Sequence, residues 1–255
     1  MSVLAAEWIK TRSVRSFYLV LLVSLGTIGL GALAAWSAVA MYEAATPVQQ
    51  ARARIANLEE VVVIIPQLAM GVLGTLSITS EYATGLIRLS LAVVPRRWPL
   101  VIGKAVMLTV VGLVTGSAMV FATFFVSHGI LGGRFPVPTF QDQLPTLVTT
   151  SLTVPVFALL GLGLGALLRS AAGAIALLVG LVYVIPMIVG HLPDPWNRWL
   201  GSVMIGSLPR QMTGADLTNS VFGSELSPIA AAGVLLLYAV LPVAAGGWRV
   251  CRADP

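Results

Sequence analysis

Six apolar runs, each long enough to cross a bilayer as a helix, limit what this chain can fold into. They lie near residues 17–41, 61–79, 104–127, 147–168, 171–190 and 229–248, and none holds an acidic or basic residue in its interior. A hydrocarbon core ~30 Å thick takes ~20 residues of α-helix. No water reaches backbone amides there, so each run must bond its own N–H and C=O groups, as a helix does. The runs are continuous rather than alternating, which argues against barrel strands. The expected fold class is all-α: an integral membrane protein with six transmembrane helices, forming a single domain over residues 1–255.

Composition agrees. The chain is 57% hydrophobic and only 10% charged, with a mean hydropathy of +0.93. A soluble domain is about 25% charged, so too little polar surface exists here to cover a soluble globule. The net charge of +5 punctuates apolar segments instead of clustering on a polar face, which excludes a nucleic-acid partner. A single cysteine, Cys251, rules out an internal disulfide and any multi-cysteine metal site. His128 and His191 lie far apart, so no metal ligands, no bound cofactor and no catalytic residues are expected. The first run follows Lys10, Arg12 and Arg15 as a signal peptide would, but its apolar length exceeds the ~7–15 residues of a signal h-region. It is read as an uncleaved span.

Orientation follows from basic residues. With the N-terminus inside, the inner segments hold Lys10, Arg12, Arg15, Arg88, Arg96, Arg97, Lys104, Arg169, Arg249 and Arg252. The outer loops hold only Arg52, Arg54, Arg134, Arg198 and Arg210. Both termini are therefore expected to be cytoplasmic. Arg169 and Ser170 alone join the fourth and fifth runs, a tight inner hairpin. The outer loop at 42–60 offers Thr46–Pro47 as a helix start, with Val48, Ala51, Ile55 and Leu58 on one face. The long loop at 191–228 carries Trp196 and Trp199, suited to an interface; whether part of it re-enters the membrane is left open.

Two segments on the inner side carry the functional reading. Residues 2–15 place Leu4, Trp8, Ile9 and Arg12 near one side of a helix, with Glu7 and Lys10 elsewhere. Such a segment suits an interfacial helix, with its cations near anionic lipid, or serves as a plain positive flank. Between the second and third runs lies EYATGLIRLSLAVVPRRWPLVIGK, residues 81–104. A helix over 81–93 sets Glu81, Gly85 and Arg88 on one face beside a stripe of Tyr82, Leu86, Leu89 and Val93. Pro95 ends it, Pro99 opens the next helix, and Lys104 is placed to snorkel to the headgroups. The segment is either a docking helix at the inner surface or a solvated basic loop.

These two segments resemble the permease subunit of bacterial ABC type-2 transporters. Such permeases begin with an E-x-x-K-x-R-like segment, here Glu7, Lys10 and Arg12 around Trp8. After the second span they carry a pattern matched by Glu81, Tyr82, Gly85, Ile87, Arg88, Pro95, Arg97 and Lys104. The usual Gly-Thr pair stands here as Gly85–Leu86. The resemblance implies a short cytoplasmic coupling helix between spans two and three, and export across the bacterial cytoplasmic membrane. It implies a cytosolic ABC ATPase partner that binds ATP and magnesium, because this chain has no G-x-x-x-x-G-K-[ST] phosphate loop. It also implies a second permease copy or paralogue in the bilayer. Glu81, Arg88 and Arg97 would contact the ATPase or form internal pairs that shape the connector, with Tyr82 and Leu89 as anchors.

Gly112 with Gly116, and Gly161 with Gly165, fit G-x-x-x-G and are candidates for close helix packing, including the face toward a second permease. Pro66, Pro155, Pro186 and Pro242 fall inside spans as kink sites. Spans without internal charge argue against an ion-coupled carrier, and a path of apolar and small residues suits a lipid-like or drug-like cargo. An intramembrane enzyme would need ionisable groups at depth, which are missing. A non-transporting scaffold or immunity-type protein would share the six spans and the basic inner loops.

Overall fold

The computed structural model describes residues 8–10, 12, 15–53, 57–85, 98–135, 137–214 and 226–252. Among these, six helices are long and apolar enough to cross a membrane. The first is α1, Arg15–Glu43. After the short outer helix α2, Pro47–Arg52, the second span runs from Leu58 to Ala83. It consists of α3, Leu58–Val62, and α4, Ile64–Ala83. The third is α5, Trp98–Leu131, and the fourth α6, Phe140–Leu168. Spans alternate direction, so an even number brings both termini to one end of the bundle.

The fifth span, Ala171–Val189, is not regular. It begins as α7, Ala171–Val179, passes through a π-helical turn at Gly180–Val184, and ends as α8, Ile185–Val189. The cause lies in Pro186, which has no N–H and cannot close an α-helical bond back to Val182. The chain absorbs the misfit one turn earlier: the Ile185 N–H reaches the carbonyl of Gly180, five residues back. Two short helices follow, α9 at Trp196–Val203 and α10 at Leu208–Met212. The sixth span is α11, Pro228–Arg252.

The fourth span is the axis of the bundle. It packs on α4, α5 and α11 and is the most buried of the six. Glycines allow that approach. A methyl group at Gly161 would run into the Gly71 carbonyl, and one at Gly163 into the backbone of Pro242. Gly112 lies over Pro155, Gly116 over Val154, and Gly165 over Thr75 and Ile78. Both G-x-x-x-G pairs are therefore occupied by helices of the same chain and leave no face there for a second permease. The largest apolar cluster runs along α1, α4, α5, α6 and α11, through Phe17, Met70, Leu108, Val154 and Val250, and a second joins α6, α7, α10 and α11 through Phe157, Leu178, Leu208 and Leu235. The outward faces of α1, α7 and α11 stay apolar and exposed, as at Leu22, Leu177 and Leu237.

Three local expectations change. The helix over 81–93 is not continuous: α4 ends at Ala83, Thr84 caps it, and Gly85 takes φ +70°, a left-handed turn. Glu81 thus belongs to the last turn of a span, not to a surface helix. Arg88, Leu89, Pro95 and Arg97 lie outside the described residues, as does Glu7. In the outer loop, the Gln49 side chain accepts from the Thr46 N–H at 2.9 Å. That helix stops at Arg52, and Ala53 is extended. The stripe from Val48 to Leu58 is therefore broken; Ile55 lies outside the described residues. Finally, Lys104 does not reach for headgroups: it is 4% exposed.

Candidate coupling site

At the end of the bundle that carries the termini, one carboxylate joins three segments. Glu81 sits in the last turn of α4 and is 6% exposed. Lys104, two turns into α5, donates to its Oε1 at 2.8 Å. Lys10, in the helical residues before α1, donates to the same oxygen at 3.1 Å. The lysines differ in setting, because the Lys10 side chain is 45% exposed and that of Lys104 is 4% exposed. The other carboxylate oxygen, Oε2, is buried without a hydrogen-bond partner among the described residues. A buried acid bonded to two ammonium groups loses much of its compensation if either is removed.

The neighbouring residues complete the junction. Trp8 packs edge-on against Phe17, ring centres 6.3 Å apart, which ties the N-terminal helical residues to α1. Ile9 and Arg12 lie on the surface beside it. Tyr82, next to Glu81, carries the guanidinium of Arg169 over its ring at 5.0 Å. Trp98, the first residue of α5, lies on Gly247 of α11. Arg249 donates to the carbonyl of Leu167. The site thus gathers Trp8, Lys10, Arg12, Glu81, Tyr82 and Gly85 at one end of the molecule, with Trp98 and Lys104 from beyond the connector.

For two members of this junction the sequence did not announce the partner. Lys104 falls one heptad past Arg97 and reads as the basic edge of a span. Its partner is 23 residues away and becomes visible only when α4 and α5 are antiparallel. Arg169 reads as a topological arginine, and nothing in its neighbours announces that it stacks on Tyr82.

Within the bundle, most buried polar side chains are hydrogen-bonded, while the Thr123 and Thr150 hydroxyls have no partner among the described residues. Gln67 donates to the Thr153 hydroxyl at 2.6 Å, and the Thr75 hydroxyl lies 3.2 Å from the Gly161 carbonyl. Tyr183, on the π-helical turn, donates to the Ile64 carbonyl at 3.0 Å, bridging the fifth span to the second. Ile64, Gln67 and Tyr183 border a cavity of about 310 Å³ walled by Phe157, Val182, Met187 and Ile205, with Ser207 as a polar edge. Its lining suits an apolar ligand at the small end of the usual range, about 300–1,000 Å³.

The far end is closed by separate contacts. Glu60 takes Arg210 of α10 at 2.6 Å, Glu59 accepts from Gln143 at 3.0 Å, and Glu43 pairs with Arg134 at 2.9 Å. Between α9 and α11, Gln211 is 1% exposed and donates to the Ser202 carbonyl at 2.7 Å. Its oxygen accepts from the Leu226 N–H at 3.2 Å.

A comparison with curated proteins gives no match. The model of a family described as "ABC-2 family transporter protein" matches residues 1–254. With six apolar helices and an ion-paired junction beside the connector, the chain belongs to the ABC-2 transporter family.

Proposed function

We propose that this permease exports a lipid-like or drug-like cargo across a bacterial cytoplasmic membrane, driven by ATP and magnesium bound on a separate cytosolic ATPase subunit. In this reading the end with both termini faces the cytoplasm, as its excess of Lys and Arg favours. A second permease, identical or paralogous, completes the path. The apolar cavity beside Phe157 and Tyr183 supports an apolar or amphipathic cargo.

The observation that carries the coupling half is the shared bonding of Glu81 to Lys10 and Lys104. Residues 86–97 connect α4 to α5, so any push on that connector is received at Glu81 on one side and at Trp98 and Lys104 on the other. Because Lys10 shares the carboxylate, the N-terminal helix moves with them. Glu81 then acts as an internal pair rather than a contact to the ATPase. Arg88 and Arg97 are the contacts to the ATPase, Tyr82 and Leu89 the apolar anchors. Gly85 and Pro95 bound the coupling helix.

The test is co-purification of the chain with the ATPase of its own complex, in nanodiscs, with turnover measured. Reversing Arg88 and Arg97 to Glu is expected to lower association and turnover several-fold. E81Q is expected to keep association while uncoupling turnover from transport. If the reversed variants bind and turn over as wild type, the coupling assignment fails.

A further inference from the structure

We propose that the hairpin between the fourth and fifth spans holds the phosphate of an anionic phospholipid at Arg169. Arg169 is the only non-glycine residue with positive φ among the described residues, at +54°. The position after a helix ordinarily goes to Gly or Asn, because a Cβ is crowded there. A long cationic side chain in that conformation gains nothing locally, so what its head meets matters.

The guanidinium lies over Tyr82, and its Nε is buried without a hydrogen-bond partner among the described residues. That burial fixes the head of the side chain beside a cleft that Arg169 itself lines. The cleft, of about 340 Å³, opens between the end of α4 and the start of α7, walled by Leu76, Tyr82, Ala83 and Ala171. Its hydroxyls are already used as donors: Thr79 gives its proton to the Thr75 carbonyl, and Ser80 to that of Leu76. The donors left at the mouth are therefore the arginine and the first amides of α7. The Ser170 hydroxyl accepts from Gly173 and the Ser170 carbonyl from Ala174, so the helix leaves the amides of Ala171 and Ala172 without an internal partner. Such amides favour an anion.

The charge around the cleft selects a negative ligand. Among the described residues at this end, Glu81 is the one acid, and it is bonded to two lysines. Arg249 adds a second guanidinium at the same hairpin through the Leu167 carbonyl. The setting favours a lipid over a cytosolic protein. The hairpin is two residues long and joins two membrane-spanning helices, and the fifth span that leaves it is largely uncovered by protein. Basic pockets between spans at this level suit phospholipid headgroups.

The experiment is native mass spectrometry of the chain released from nanodiscs of phosphatidylglycerol mixed with phosphatidylcholine. Wild type is expected to retain a phosphatidylglycerol adduct. R169G fits the left-handed backbone and removes the guanidinium; it is expected to reduce that adduct about fivefold. R169K should fall between them, because an ammonium lacks the planar fork. R169N is the second neutral variant should R169G lose its fold, since Asn tolerates the same backbone. R134Q, at the far end, should leave the adduct unchanged. Equal retention by wild type and R169G, or by wild type and R169N, overturns the proposal. So does displacement of the adduct by excess inorganic phosphate, which would assign the site to a free ion. So too does unchanged lipid retention with lost binding of a protein partner.

Discussion

At the end that carries both termini, one carboxylate serves two ammonium groups from different segments. At the other end no acid joins two cations: Glu43 pairs with Arg134, Glu60 with Arg210 and the nearby Asn57 amide, and Glu59 with Gln143. The first arrangement is a hub and the second a set of clasps that share no common ion. A hub makes three elements respond together, because no one of them can leave without stripping the acid of a partner. Separate clasps let one element shift while the rest hold. In an ABC-2 permease the hub stands beside the connector, where coupled movement is useful. The clasps stand where a bundle closed by replaceable contacts can open piece by piece.

The largest expected effect comes from breaking the hub. E81A removes a carboxylate that two ammonium groups share, one of them 4% exposed. Losing one partner of a buried ionic group costs about 3 kcal/mol or more, measured here as the change in unfolding free energy in detergent. Replacing both buried partners with apolar residues of similar length, E81M with K104M, is expected to recover a good part of that loss, since the desolvation penalty goes with the charge. If E81A costs no more than substitutions at the far end, the two ends are equivalent and the distinction falls.

The ends also differ in how much of them could be read from residues alone. Six spans were legible because apolar length is decisive in a bilayer and needs no partner to interpret it. All the spans but the fifth run past their apolar runs, since charged and polar turns continue a helix once its core is buried. Glu81 was misplaced for a specific reason. The period from Glu81 through Gly85 to Arg88 fits a surface helix, and a glycine permits either helix or a left-handed turn. The choice is made by the packing of α4 on its neighbours. Gly112, Gly116, Gly161 and Gly165 announce close approach but not to which helix, and they turn out to serve α4, α5 and α6. Lys104 was visible as a motif residue placed to snorkel, and Arg169 as a hairpin arginine, but neither showed its partner. Their partners are set by antiparallel packing over 23 residues and by a stack on Tyr82.

Within the hub, the two lysines should separate. K104M empties the buried side of the triad and is expected to cost about 2 kcal/mol, while K10M removes a half-exposed partner and should cost about 1 kcal/mol or less. The same pair should differ in function in the opposite sense: K10M frees the N-terminal helix while leaving the spans joined, so transport coupling falls more than stability does. A double-mutant cycle between positions 10 and 104 reads the hub directly, because two ligands of one acid should be strongly non-additive. Additive losses would mean that each lysine acts alone.

At the far end the losses should be smaller and graded by exposure. R210Q breaks a pair whose acid is 17% exposed and is expected to cost about 1 kcal/mol, with α10 loosened from α3. R134A breaks a pair exposed on both sides, 46% and 57%, and should cost about 0.5 kcal/mol at most. Raising ionic strength to about 1 M shortens the screening length to ~3 Å. It should erase the R134A effect while leaving most of the E81A effect, since a pair shielded by protein is reached little by mobile ions. A cycle at positions 43 and 134 should give a coupling near zero in high salt, and its failure to vanish would mark that outer clasp as part of a network after all.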